Sequence, residues 1–337
     1  MKTAILGVGR MGRRHIKVVS QLGWDLVGVF DVNPDSLKQA QDDHAVPRHR
    51  SFNDLDKLFS VAEPECLIIA TTADAHCALT CMTAERGVRY VLVEKPMAVS
   101  LEECDRMVET CRRRGTRLAV NHQMRFMPLY MEPKRLFATE AYGGLASMTI
   151  VGGNFGFSMN GAHYFEAFRF LTDEDPMEVA AWFSRDTVPN PRGPQFQDRA
   201  GSIRAITASG KRLYVEIGAD QGHGIHHVYA CRNGMVALDE LTGEMFCSER
   251  EEQYRRLPTT RYGMPAVNTR RVIKASEVID SSAAVLTALL SGVNNVSGED
   301  GRRAVELLVA AYRSAEQGSA PVRLDGNLDR TRVFPWA

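Results

Sequence analysis

The chain changes its pattern of hydrophobic and polar positions near residue 120. Before that point, short apolar or β-branched runs alternate with longer stretches of helical period. The runs are Ala4-Ile5-Leu6, Leu26-Val27-Gly28-Val29-Phe30, Leu67-Ile68-Ile69-Ala70, Tyr90-Val91-Leu92-Val93 and Leu118-Ala119-Val120. Between them the spacing predicts helices over about 10–22, 35–43, 53–60, 74–87 and 100–114. Strands apolar on both faces and separated by helices read as a parallel sheet covered on both sides, an α/β doubly wound arrangement.

From about residue 123 strands follow one another with few helices between them. Residues 146–151, 178–184, 202–208, 212–217, 226–231 and 235–239 read as strands, with turns at Ser209-Gly210 and Asn233-Gly234. Helical patterns over 268–290 and 301–317 close the chain, the second with Ser297 as its cap. A length of 337 residues suits two domains. We expect a parallel domain over 1–122 and a substrate-binding, self-associating α+β domain over 123–337 with a large, mostly antiparallel sheet. A cleft is expected between them, and the C-terminal segment is a candidate to pack back on the first domain.

Charge and cysteine usage narrow the classes. Forty-one Lys and Arg balance 41 Asp and Glu, so no global field draws the chain to nucleic acid or to an acidic membrane. No run approaches the roughly 20 apolar residues of a membrane span, and the N-terminus enters a strand without a secretory leader. The seven cysteines are scattered without a CxxC pair, which fits reduced thiols in a cytoplasmic protein. Cys77 and Cys81, four apart beside His76, admit a metal reading, but buried helix thiols are the simpler account. The His223, His226, His227 cluster reads better as a loop or substrate lining than as a metal site, because His226 and His227 would point to opposite faces of a strand. We therefore expect no metal.

The first chemical signal is Gly7-Val8-Gly9-Arg10-Met11-Gly12, a GxGxxG that follows a strand and opens a helix, 19 residues before Asp31 at the end of the second strand. Gly7 allows the turn, Gly9 lets a pyrophosphate approach the backbone, Gly12 permits close helix packing, and the helix N-terminus favours the anion. The first domain thus reads as a Rossmann sheet for a dinucleotide. Asp31 can accept both ribose hydroxyls and would repel a 2′-phosphate, which favours NAD over NADP. The rival readings are an ordinary βα turn and a loop-capping carboxylate. Arg112 to Arg114 read as a cationic helix end rather than a phosphate site; Arg192 and Arg199, in or after a Pro- and Gly-rich loop, are weak candidates for an anionic substrate tail.

Glu94-Lys95-Pro96 ends the fourth of these apolar runs, where open α/β sheets bind ligands. Behind the N-terminal glycines it resembles the glucose-fructose oxidoreductase and inositol dehydrogenase family (Gfo/Idh/MocA). Ala70-Thr71-Thr72-Ala73-Asp74-Ala75-His76 resembles that family's Ala-Thr-Pro-x-x-x-His segment, with Thr72 for the proline. Arg125-Phe126-Met127-Pro128 resembles its inter-domain junction, and Gly161-Ala162-His163-Tyr164-Phe165-Glu166 its Gly-x-His-x-x-Asp helix, with Glu166 for Asp. Ser297 to Arg302 and Ala311 to Gly318 are similar to its last landmarks. The likeness covers nearly the whole chain.

The resemblance implies an NAD-dependent oxidoreductase acting on a secondary alcohol or ketone of a sugar, cyclitol or sugar derivative, and a homodimer or homotetramer. It places the catalytic roles on Lys95 and His163. Gly7, Gly9, Arg10, Met11, Gly12, Asp31, Thr71, Thr72, His76, Glu94 and Lys95 would line the cofactor, and Lys95, Arg125, Met159, Asn160 and His163 the substrate. The chemistry suits the residues: a histidine titrates near neutrality and can take a hydroxyl proton, and a lysine can steady an alkoxide. One departure is Met159, where the family commonly has an aspartate four residues before the histidine. A glycosidase or isomerase using transient oxidation, and a non-catalytic nucleotide-binding protein, therefore stay open as alternatives.

Overall fold

The computed structural model describes residues 1–153, 155–258 and 265–336. Internal contacts divide the chain into two units, Met1–Gln123 with Glu277–Val305 and Asp329–Ala337, and Met124–Ser276 with Glu306–Leu328.

In the first unit six parallel strands, β1 (Lys2–Leu6), β2 (Asp25–Phe30), β3 (Ser51–Phe52), β4 (Cys66–Ile69), β5 (Tyr90–Val93) and β6 (Arg117–Val120), are ordered β3-β2-β1-β4-β5-β6. The order reverses between β1 and β4, and that reversal opens a crevice at the carboxyl ends of the strands. The connecting helices are α1 (Arg10–Gln21), α2 (Pro34–His44), α3 (Leu55–Ala62), α4 (Ala73–Glu85) and α5 (Leu101–Arg114). Their starts are set by local chemistry: the side chains of Asn33, Asp54 and Ser100 accept backbone N–H bonds from the first turns of α2, α3 and α5. Gly115, with φ of 69°, ends α5 in the left-handed region.

A later segment joins this unit. Helix α8 (Val278–Ser291) receives Arg117 Nη1 on the carbonyl of Leu289 at 2.9 Å. Helix α9 (Gly298–Glu316) begins with Ser297 accepting from the amide of Asp300 at 3.2 Å while Asp300 accepts from the amide of Ser297 at 2.9 Å, a reciprocal cap.

The second unit holds nine strands in the order β14-β13-β12-β11-β7-β10-β9-β8-β15. They are β7 (Leu145–Gly153), β8 (Pro176–Val188), β9 (Asp198–Thr207), β10 (Arg212–Gly218), β11 (His226–Cys231), β12 (Gly234–Asp239), β13 (Glu244–Arg250), β14 (Ala266–Val272) and β15 (Val322–Arg323). Every neighbour pairing is antiparallel except β7 with β10. Helices α6 (Pro128–Phe137) and α7 (Ala162–Thr172) belong to this unit. Met148, Ile150, Ile203, Leu213, Val215, Tyr229 and Val236 are buried along one face. The register aligns Ala180, Arg204, Tyr214, Thr149, Val228, Ala237, Phe246 and Arg270 across the other, which leaves Trp182 and Val228 exposed. Among the described residues no helix is long and apolar enough to cross a membrane.

The helix expected over 268–290 is corrected. Residues from Ala266 to Val272 pair with β13 as an exposed edge strand, and the helix starts only at Val278. Val267, Thr269 and Val272 are β-branched, while Arg270 and Arg271 put charge on the outermost strand, a common guard against edge pairing.

A glycine fixes how closely α9 approaches β6. A Cβ on Gly301 would lie 2.3 Å from Cγ2 of Val120. Gly301→Ala is expected to lose about 1–3 kcal/mol from overpacking, read as a lowered denaturation midpoint at unchanged slope. Wild-type stability would show that the contact yields.

Candidate active site

The glycine loop sits between β1 and α1. Gly7 has φ of 85°, and a Cβ there would lie 2.8 Å from the backbone of Ala70 and Thr71; a Cβ on Gly12 would lie 1.9 Å from the carbonyl oxygen of Gly7. Nothing approaches within 4 Å of a Cβ built on Gly9, so this side of the loop is open. Gly9 is also the N-cap of α1, which has neither a side-chain cap nor an acidic residue in its first turn. Those free N–H groups and the positive end of the helix dipole fit a pyrophosphate. Arg10 is exposed in that first turn, and Met11, half-buried, lies 3.5 Å through Sδ from the guanidinium of Arg14.

Asp31, just after β2, reaches this loop. Its Oδ2 accepts from the amide of Val8 at 2.8 Å and its Oδ1 from the amide of Asn33 at 2.9 Å, so one carboxylate ties the glycine turn to the start of α2. Each oxygen keeps a second lone pair for a ribose hydroxyl.

The segment after β5 is held from behind. Glu94 is buried, and its Oε1 accepts from His15 Nε2 of α1 at 2.7 Å and from the Asn121 amide at 2.8 Å. Burial pushes this carboxyl up, but the hydrogen bond and charge of His15, the Asn121 amide and the Lys95 charge outweigh it, and the net result is about 2. The ring of His76 is also buried, with Nδ1 3.0 Å from the carbonyl of Pro96 and Nε2 3.2 Å from that of Thr71. Burial lowers its pKa against the opposing pull of those carbonyls, and a neutral ring donates its one N–H to one of them, according to its tautomer. Glu94 and His76, expected beside the cofactor, thus spend their polar atoms on fixing the strand that presents Lys95. Lys95 is itself largely buried. Thr71 and Thr72 lead into α4, Thr72 as its N-cap residue without a side-chain bond.

In the second unit a single π-type turn, Phe157–Gly161, leads into α7 and carries Met159 and Asn160. Asp198, fully buried at the start of β9, accepts from the amides of Ser158 and Met159, both at 2.8 Å, and from its neighbour Arg199 at 2.9 Å. Burial raises this carboxyl despite those three donors. A Cβ on Gly156 would lie 2.1 Å from Asp198 Cγ, so the turn closes tightly on the carboxylate. Two residues past the turn, His163 is buried on α7. Next to it Tyr164 donates to Glu240 at 3.1 Å, as does Tyr130 of α6, while His227 lies 2.8 Å from the same oxygen. Arg125 pairs through Nε with buried Glu166 of α7 at 2.9 Å. Met159, Asn160 and His163 thus lie at the start of α7 and Arg125 pairs with Glu166 further along it, while Lys95 and the cofactor candidates belong to the other unit.

Residues 1–122 match the family model described as GFO_IDH_MocA, an oxidoreductase family with an NAD-binding Rossmann fold. Over these residues the chain is a Gfo/Idh/MocA-type NAD-binding Rossmann domain. It is 24% identical over 257 residues to inositol 2-dehydrogenase of Salmonella typhimurium, covering 71% of this chain and 74% of the relative. To inositol 2-dehydrogenase 2 of Saccharopolyspora erythraea it is 27% identical over 345 residues, 96% of each chain. An Agrobacterium radiobacter oxidoreductase solved with NAD⁺, L-tartaric acid and magnesium shares the fold, with a TM-score of 0.78, 21% identity and coverage of 97% and 99%. The family match thus marks residues 1–122 as an NAD-binding Rossmann domain of an oxidoreductase family.

Sequence reasoning missed His15, Asn121, Asp198 and Glu240. His15 carried a signal, a histidine on the apolar face of α1, whereas Asp198 sits 40 residues from its partner Ser158, beyond the reach of spacing. Asp198→Ala strands three backbone N–H groups, one buried and two part-buried, and should cost about 3 kcal/mol, with faster hydrogen exchange at Ser158 and Met159. Unchanged protection of those two amides would refute the role.

Proposed function

We propose that this oxidoreductase interconverts a secondary alcohol and a ketone on a sugar, cyclitol or sugar derivative, with NAD preferred over NADP. The observation that carries the reading is the uncapped start of α1 behind Gly9, joined by the Asp31 carboxylate to the next strand, beside a lysine fixed at the end of β5. The relatives named as inositol 2-dehydrogenases support the substrate class.

NAD, when bound, supplies the hydride acceptor. Gly9 and the first turn of α1 would hold its pyrophosphate, and Asp31 would accept from its ribose hydroxyls. As the C–H electron pair leaves the carbinol carbon, His163 takes the hydroxyl proton and Lys95 steadies the negative oxygen. Arg125, locked on Glu166, and Asn160 shape the pocket; Asn160 can hydrogen-bond a hydroxyl but cannot remove its proton. Self-association into a dimer or tetramer belongs to the same proposal, through the open face of the nine-stranded sheet, where Trp182 is 58% exposed.

Met159 favours one second reading, a nucleotide-binding protein that has lost turnover. Both readings are tested by following NADH absorbance with a panel of inositols and sugars. The proposal expects stoichiometric NADH, and a fall in kcat of about 100-fold or more in Lys95→Ala and His163→Ala. Undiminished turnover in Lys95→Ala would overturn the assignment. NAD binding with no turnover on any member of the panel would favour the second reading.

A further inference from the structure

Residues 329–336 belong to the first unit, and the proposed reaction gives them no part. Their conformation is set locally. Asp329 accepts from the amides of Thr331 at 3.0 Å and Arg332 at 3.2 Å, which turns the chain. Pro335 then favours an extended Phe334, and in an extended chain Phe334 and Trp336 share one face. Both are buried, Phe334 at 3% and Trp336 at 0% exposure, with ring centroids 4.5 Å apart and planes inclined by 13°. Val333 and Pro335, which alternate with them, are exposed.

This stretch runs antiparallel to the segment that leads from Lys95 into α5. The amide of Phe334 donates to the carbonyl of Val99 at 2.9 Å, and the carbonyl of Arg330 accepts from the amide of Glu102 at 2.8 Å. The second bond satisfies one of the N–H groups that open α5, beside the Ser100 side chain that serves Glu103. The guanidinium of Arg330 reaches Asp105 Oδ2 at 2.7 Å, and Asp105 also pairs with Arg302 of α9. His76 of α4 holds the same segment nearer to Lys95, with Nδ1 3.0 Å from the carbonyl of Pro96 and 3.3 Å from that of Met97. Met97, Ala98, Val99 and Ser100 are all buried. The backbone after Lys95 is therefore tied at 96 and 97 by His76, and at 99 and 102 by the stretch that ends in Trp336.

We propose that residues 330–336 are a positioning strap for Lys95: by fixing the loop after β5 they hold its amine in place, and they act on the reaction through that lysine alone. The inference rests on the role given to Lys95 above. A displacement of about 1 Å at a reacting group costs about 100-fold in rate, so a loop tied only by His76 is a poor mount for a side chain as long as lysine. Phe334 and Trp336 supply the buried area that keeps the strap closed, and the Val99 and Glu102 bonds set its register.

The test compares the full wild-type chain with Phe334→Ala, Trp336→Ala, Phe334→Leu and Arg330→Gln, each checked for folding by near-UV circular dichroism. Acylation by acetic anhydride, read at each lysine by peptide mass spectrometry, reports access to the Lys95 amine, with exposed Lys17 and Lys38 as internal standards. Lys95 is 9% exposed, and Phe334→Ala and Trp336→Ala are expected to raise its acylation about tenfold against those standards, with faster hydrogen exchange confined to residues 97–103. Phe334→Leu, which keeps an apolar side chain and the N–H, should stay near wild type. Arg330→Gln, at an exposed position, should give a rise of about threefold and keeps the comparison open if a ring deletion unfolds the chain. On the best substrate of the panel, kcat should fall about tenfold or more in the ring deletions while the NAD dissociation constant, by calorimetry, holds within about twofold. A stretch that served stability alone would lower the denaturation midpoint and leave the Lys95 ratio unchanged. A Lys95 ratio at the wild-type value in every folded variant, or a rise shared equally by all lysines, would overturn the proposal. Labelling needs no turnover, so a wild type that reduces no NAD would sink the proposed reaction while the Lys95 ratio still decides the strap.

Discussion

The carboxylate of Glu94 is the charge on which the first unit is organised. It lies at the carboxyl end of β5 and is 2% exposed, and its Oε1 gathers His15 from α1 and Asn121 from the residue after β6. Asn121 in turn lies 3.4 Å from Ser282 of α8. Three separate stretches of chain therefore meet at one buried anion next to Lys95, and a fourth, α8, is reached through Asn121. A buried carboxylate without partners would cost several kcal/mol, so the fold keeps it only by bringing these donors together. The same donors orient the helix whose N-terminus faces the glycine loop. Cofactor loop and catalytic candidate thus share one anchor.

The second unit uses the same physics twice. Asp198 spends three hydrogen bonds on backbone amides and fixes the turn that carries Met159 and Asn160. Glu240 collects Tyr130, Tyr164 and His227, and so fastens α6 and α7 to the sheet. In each case a carboxylate that could have been mistaken for a catalytic group is consumed in positioning. Asp198 in particular does not replace the acid missing at Met159, because it is fully buried with its oxygens turned to backbone amides, whereas Asp31 with the same pattern of donors stays in reach of solvent.

These pairings explain which parts of the molecule are legible in sequence. The parallel strands announce themselves as apolar runs because both faces are covered, and the glycine motif and Asp31 are local. Ser51–Phe52 and Val322–Arg323 are too short to carry a period, and the residues of β14 are exposed on both sides, so its β-branched positions were absorbed into the apolar pattern of the helix that follows. The site is legible only where its chemistry is local. Lys95 and His163 stand inside motifs, but the bond between His15 and Glu94 spans 79 residues, and no periodicity encodes it. Glu94 and His76 adjoin the Lys95 segment, and their polar atoms face the scaffold.

The central claim, that one buried charge holds the cofactor loop and the Lys95 strand together, is tested most directly by the pH dependence of unfolding free energy in wild type and Glu94→Gln. Because the folded carboxyl is depressed to about 2, its ionisation contributes stability that is complete above the unfolded value near 4.5 and is lost as pH falls through 2. The wild type should exceed the variant by about 3 kcal/mol at pH 7, and by less than half of that at pH 3. Stabilities that coincide at pH 7, or a gap that stays constant down to pH 3, would contradict the account.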